Sequence, residues 1–370
     1  MSARPRRTTQ SATGLPALVD EALSSIALGR AAHVEDWPEP PASAESPTSP
    51  TLPPAIWDRA VGDVARDILG RPSRQFRARM CELGWRLAGG RGEAPSLLPA
   101  LVEIVHAGSL IVDDVEDDSK LRRGATAVHL IHGVPRTVNT GTWMYFWALD
   151  LVDRLSLPRA TRERVRHAVL QALHRGHLGQ ALDLSVSIGR MPRALVYRTV
   201  ATSTMLKTGA LMELAALAGA LAAGPSSDDG EDRIEALAQF GRRMGLGLQM
   251  LDDFGNLTAP ATDAGDTKAL EDLRNDRPTW PWAHAAIELD AAAFAQLQAG
   301  VRALSNGGDP DGTRGRALAA ELRMAVGMKG RRQAALYLDN ALGDLRKRIG
   351  EREELALLAR EIERLEISYG

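Results

Sequence analysis

"LLPALVEIVHAGSLIVDDVEDDSKLRRG", residues 97–124, opens as a strongly apolar stretch and ends in a burst of charge. Leu, Val and Ile recur at three- and four-residue spacing as far as Val112, which predicts a buried helix with carboxylates at its end. Five of the seven residues 112–118 are acidic, and Arg122 and Arg123 follow in a loop closed by Gly124. Asp113, Asp114 and Asp117 stand at i, i+1 and i+4, and i and i+4 share a helix face with Cβ atoms about 5–6 Å apart. Like charges so close repel unless a cation lies between them. Mg2+ typically takes one or two carboxylates together with substrate phosphates. Guanidinium forks match phosphate oxygens. Carboxylates with arginines beside them therefore point to a metal-bound di- or triphosphate. For the aspartates alone, a charged helix end facing solvent is the plainer reading.

The device recurs downstream. "LGLQMLDDFGNL" (246–257) carries Asp252 and Asp253 on a second apolar helix, with Asn256 at i+4 from Asp252, and the next segment supplies Lys268, Asp272 and Arg277. Two acid-tipped helices about 140 residues apart can face each other across a bundle, where metal sites are often built from facing helices.

Around these clusters the chain reads as helix throughout. From residue 56 to 370 apolar residues keep helical spacing, broken at "AGGRGEAP" (88–95), "SLPRAT" (156–161), "GPSSDDG" (224–230) and "SNGGDPDGTRG" (305–315). No useful period-two strand pattern is present, so the expected class is all-α. Residues 1–55 read as a flexible N-terminal tail holding a short amphipathic helix (16–32) and a Pro-rich linker (35–54). The 370 residues are 44% hydrophobic, enough for a sizeable core, and the net charge of −2 argues against nucleic acid as a partner. Cys81 is the single cysteine, so no internal disulfide exists, and a reducing, cytoplasmic compartment is expected. The most apolar stretch, 210–224, is too short to span a bilayer and carries Glu213.

The two aspartate-rich segments resemble those of the trans-isoprenyl diphosphate synthases, the polyprenyl synthetase family, most closely the eukaryotic-type geranylgeranyl diphosphate synthases. "DDVEDDSKLRRG" is similar to the family's first motif, DDxxD followed by RRG, and "LQMLDDFGNL" to its second. The resemblance implies a helical bundle around a deep central cavity, a homodimer, and prenyl transfer between isopentenyl diphosphate and an allylic diphosphate. It implies up to three Mg2+ ions held by Asp113, Asp117 and Asp252, with Asp114, Asp253 and Lys207 also in the catalytic set. Isopentenyl diphosphate would be gripped by Arg74, Arg77, His106 and Arg123. Arg122, Lys207, Thr208, Gln249, Lys268 and Arg277 would contact the allylic partner. "PSRQFR" departs from the family's Gly-Lys-x-x-Arg, with Ser73 and Arg74 for the first two residues, and Arg277 replaces a lysine. Gln180 and Asp183 match a further GQxxD segment.

Product length follows from what lines the shaft below the aspartates. Ser109 lies four residues before Asp113, about 6 Å down the helix, and both it and Gly108 are small. Tyr145, Phe146 and His177 resemble floor residues of geranylgeranyl diphosphate synthases, which implies a twenty-carbon product. A farnesyl or longer-chain synthase, a class I terpene cyclase on the same fold, and a regulatory subunit of a hetero-oligomeric synthase are the other readings.

Overall fold

The computed structural model describes residues 14–27, 52–224, 230–258, 268–307, 309 and 312–368. Its helices are α1 (Leu15–Ala27), α2 (Pro54–Trp57), α3 (Asp63–Gly70), α4 (Phe76–Leu87), α5 (Leu97–Glu116), α6 (Val128–His132), α7 (Val134–Asp153), α8 (Arg159–Ser185), α9 (Arg193–Thr204) and α10 (Ala210–Ala223). They continue through α11 (Gly230–Thr258), α12 (Lys268–Arg274), α13 (Trp280–Glu288), α14 (Ala291–Ser305), α15 (Thr313–Leu322), α16 (Met328–Ile349) and α17 (Glu353–Ser368). Among the described residues three single π-turns interrupt the helical runs, at Asp58–Gly62, Met205–Gly209 and Arg323–Gly327. The expected all-α class is what the chain adopts. The exception is a two-residue ladder, β1 (Leu121–Arg122) against β2 (Ala125–Thr126), which the sequence pattern does not predict.

The chain divides into two compact units, residues 1–75 with 103–150, and 76–102 with 151–370. In the first, α1 buries Leu15, Val19 and Leu23, one apolar stripe at i, i+4 and i+8, and packs on α3, whose Val64, Ala65, Ile68 and Leu69 are buried. Arg66 on α3 binds Asp20 of α1 at 2.8 Å. The short helix expected at 16–32 is thus described over Leu15–Ala27 and packs, while residues 28–32 lie outside the described residues. The Pro-rich stretch lies almost wholly outside the described residues. Backbones of α5 and α7 pass so closely that a Cβ on Gly108 would lie 2.8 Å from the Gly141 carbonyl oxygen.

In the second unit α10 is the central helix. It contacts α4, α8 and α11, and eleven of its residues are buried. Glycines permit these crossings: a Cβ on Gly84 would sit 2.3 Å from the Ala216 carbonyl oxygen, and one on Gly219 only 1.9 Å from that of Cys81. Buried Glu213 is the charged exception on α10, bound by Arg175 of α8 at 2.7 Å and Arg242 of α11 at 2.5 Å. The π-turn joins α9 to α10 in one run, Arg193–Ala223, that is long and apolar enough to cross a membrane. Its most apolar window is 67% buried inside the chain, as a core helix would be. Trp280, Trp282, Phe240, Phe254 and Phe294 fill the rest of this core.

Candidate active site

α5 ends where its apolar residues give out, so Asp113 and Asp114 lie in its last turn and Asp117 just beyond it. Asp113 and Asp117 are half-buried. Asp114 is turned inward and fully buried, and its Oδ1 accepts from both Nε and Nη2 of Arg122, the former at 2.7 Å. Burial pushes the Asp114 carboxyl above the usual carboxylate range, even with Arg122 pulling the other way. Asp113 Oδ2 lies 3.8 Å from the same guanidinium. The arginines sit on a tight hairpin rather than an irregular loop. Leu121 pairs with Thr126 and Arg122 with Ala125, and the two turn residues, Arg123 and Gly124, both have positive φ (53° and 75°). Two-residue hairpins of type I′ demand that conformation at both positions. Arg71 donates to the Arg122 carbonyl at 3.0 Å and Arg123 to that of Ile68 at 3.2 Å, which fastens the hairpin to the end of α3.

His106, one turn from Glu103 on α5, approaches it at 3.9 Å. Arg74 is exposed in the segment before α4, and Arg77 is half-buried on α4. Ser109 donates its hydroxyl to the His106 carbonyl at 2.8 Å. The expected chain-length residues differ in burial. Tyr145 is buried, but beside Gly108, whose Cβ would lie 3.2 Å from its ring. Burial, then the charges of Glu116 and Asp113, push its hydroxyl pKa up. Tyr145 therefore lies against α5 at Gly108, five residues before Asp113. Gly108 is small because α7 passes there. Phe146 is 68% exposed, and His177 is exposed on α8. Phe146 follows Tyr145 by one residue and so points about 100° round the helix from it, away from the packed side.

The second cluster lies in the other unit. Asp252 is half-buried and accepts from Asn256 Nδ2 at 3.2 Å. Asp253 is buried and uses both oxygens on the protein: Oδ1 accepts from Gln249 Nε2 at 2.8 Å and Oδ2 from the Trp280 backbone N–H at 2.9 Å. Trp280 opens α13, where Pro281 follows it, so its amide is one of the N-terminal donors that a helix leaves unsatisfied. Burial raises the Asp253 pKa well above the carboxylate range, against those two hydrogen bonds. Gln249 Oε1 accepts from Thr208 Oγ1 at 2.9 Å, which links α11 to the π-turn that carries Lys207 and Thr208. Lys207 Nζ lies 3.5 Å from Asp183 Oδ2. Arg277 donates to the Asp183 carbonyl, near the C-terminal end of α8, and Lys268 opens α12 with its side chain outside the described residues. Trp280 and the π-turn escape a reading of the sequence. Only the "PTWP" run (278–281) hints at the first, and a one-residue helical insertion leaves no periodic trace.

Each acid cluster by itself suits a hard divalent ion. Asp113 and Asp117 in one unit, and Asp252 in the other, offer oxygen only. Among the described residues no group of three or more His, Cys, Asp or Glu could hold a metal by itself, so an ion there would draw further oxygens from a bound ligand.

Known proteins resemble this chain in sequence and fold. The polyprenyl synthetase family model matches residues 58–305, which include both aspartate clusters and the π-turn. The chain belongs to the polyprenyl synthetase family. It is 30% identical over 218 residues to a geranylgeranyl pyrophosphate synthase of Eremothecium gossypii; the match covers 56% of this chain and 65% of that protein, short of two thirds of its length. Its fold resembles the crystal structure of a decaprenyl diphosphate synthase from Rhodobacter capsulatus, with TM-score 0.70 at 21% identity, covering 96% of this chain and 99% of that one. It also resembles a polyprenyl synthase from Caulobacter crescentus crystallised with calcium and isoprenyl diphosphate, with TM-score 0.65 at 23% identity, covering 95% and 98%.

Proposed function

We propose that this chain is a Mg2+-dependent prenyltransferase that condenses isopentenyl diphosphate with an allylic diphosphate to give geranylgeranyl diphosphate, acting as a homodimer. The observation that carries the reading is the connected set Thr208–Gln249–Asp253, with Lys207 and Asp252 beside its ends, in a chain of this family. The Eremothecium relative's name supports the twenty-carbon product, and the Caulobacter structure supports a divalent ion with a prenyl diphosphate.

In this reading Asp113, Asp117 and Asp252 hold the ions. Bound Mg2+ neutralises the charge that develops on the departing diphosphate. Lys207, Thr208, Gln249 and Arg122 orient the allylic diphosphate, and Lys268 and Arg277 add positive charge. For Arg122 this means exchanging Asp114 for phosphate oxygens. His106, Arg74, Arg77 and Arg123 hold isopentenyl diphosphate with its double bond toward the allylic carbon. The allylic C–O bond breaks with its electron pair leaving on diphosphate. The isopentenyl double bond then attacks the allylic cation, and the proton lost from the adjacent carbon goes to the diphosphate.

The test is purified protein with Mg2+, labelled isopentenyl diphosphate and each allylic primer, the products sized by chromatography. Label incorporated into a twenty-carbon product is expected. Asp113→Ala and Asp252→Ala should each cut turnover by a factor on the order of 10² or more with the helical circular dichroism signal intact. Near-normal turnover in either variant, or no label in any product, overturns the reading; the second result would indicate a terpene cyclase.

A further inference from the structure

The π-turn Met205–Gly209 is pressed from two sides by glycines. α8 brings Gly179 against it: a Cβ there would lie 2.7 Å from the Lys207 amide nitrogen and 2.9 Å from Leu206 Cβ. α11 brings Gly245: a Cβ there would lie 2.6 Å from the Thr208 carbonyl oxygen and 2.8 Å from Gly209 Cα. Most of the nearest atoms are backbone, which cannot swing aside as the end of a long side chain can. Ordinary non-bonded contact is about 3.5–4.0 Å, so one added methyl group would displace the turn by roughly half an ångström or more. The turn carries Lys207 and Thr208, and Thr208 reaches Gln249 through a single hydrogen bond of 2.9 Å. A shift of that size breaks or bends this bond.

We propose that Gly179 and Gly245 are positioning residues that hold the Lys207–Thr208 π-turn at its working distance from α8 and α11, and so set the grip on the allylic diphosphate. The proposal rests on the prenyl-transfer reading for its kinetic consequence, but the clamp itself is a property of the fold. Two other glycines separate it from ordinary helix packing. Gly176, one turn before Gly179 on α8, has nothing within 4 Å of its would-be Cβ. Gly241, one turn before Gly245 on α11, is as tight, with a would-be Cβ 2.7 Å from the Met212 carbonyl oxygen, but it faces α10 and not the turn.

The experiment compares Gly179→Ala, Gly245→Ala, Gly176→Ala and Gly241→Ala in the full chain by steady-state kinetics, thermal melting and amide hydrogen exchange of residues 203–210. Gly179→Ala and Gly245→Ala should each raise the allylic KM or lower kcat by about tenfold or more, with the isopentenyl KM within about twofold. Both should speed exchange in residues 203–210. Gly241→Ala should lower the melting temperature with the allylic KM and the exchange of residues 203–210 unchanged, and Gly176→Ala should match wild type in both and melt no lower than it. If wild type transfers no prenyl group, the functional reading fails while hydrogen exchange still decides the clamp. Unchanged exchange in both clamp variants overturns the proposal. So does an equal kinetic loss in Gly241→Ala, or failure of both clamp variants to fold, since the glycines would then be plain packing residues.

Discussion

Asp114 and Asp113 are neighbours with different work. Asp114 is sealed inside and holds Arg122, while Asp113 stays half-exposed. Asp114→Ala should therefore cost about 2 kcal/mol in urea denaturation as well as activity, because it strands a partly buried guanidinium. Asp113→Ala should cost activity with little stability, and equal stability losses would contradict this division. The Asp-x-x-x-Asp spacing identified Asp113 and Asp117 as a pair, but i, i+1 neighbours point about 100° apart on a helix, and only coordinates show which one turns inward. Asp67 of α3 offers a pH test. Burial pushes its carboxyl up, but hydrogen bonds from Arg71 at 2.8 Å and with His132 at 3.0 Å outweigh it and hold the pKa below the usual range. The unfolded chain then protonates first as pH falls, so this stabilisation is complete above about pH 4 and disappears as pH drops through the native value. Asp67→Asn should lose about 1 kcal/mol at pH 7, with the gap to wild type closing below about pH 4. A gap unchanged from neutral to strongly acid solution would rule out the pairing.

At the level of elements, the helices with the strongest apolar period were legible, and the devices that aim the site were not. α5 and α11 follow from Leu, Val and Ile at helical spacing. The type I′ hairpin hides because Arg-Gly is a weaker turn signal than Asn-Gly. The crossings of α4 and α10 depend on Gly84 and Gly219, which a periodicity count reads only as poor helix formers. Gly219→Ala should cost about 3 kcal/mol by chemical denaturation, since its methyl has nowhere to go. Gly343→Ala on α16, with open space around it, should be neutral or stabilising by up to about 1 kcal/mol. A mild effect at Gly219 would mean that α4 and α10 can part without loss.

Over the whole chain, the fold class and the family were readable from two short motifs because their chemistry is specific: carboxylates at a helix end followed by cations. The N-terminal region was less so, since short amphipathic patterns do not reveal whether they pack, and α1 does. The helices close their cores with apolar side chains. Chelation with EDTA should therefore abolish prenyl transfer, leave the circular dichroism spectrum and melting temperature nearly unchanged, and be reversed by added Mg2+. Collapse of helical structure on chelation would mean that the ion is architectural. The pairing of Asp253 with Gln249 and Trp280 has a further consequence for how this chain can vary. Each oxygen of that carboxylate is aimed by a donor from the protein itself, while Asp252 meets Asn256, so the adjacent acids on α11 are not spares for each other. A homologue bearing asparagine at 253 would set an amide against one of two fixed donors and loosen the join between α11 and α13, whereas one bearing asparagine at 252 would leave that join intact.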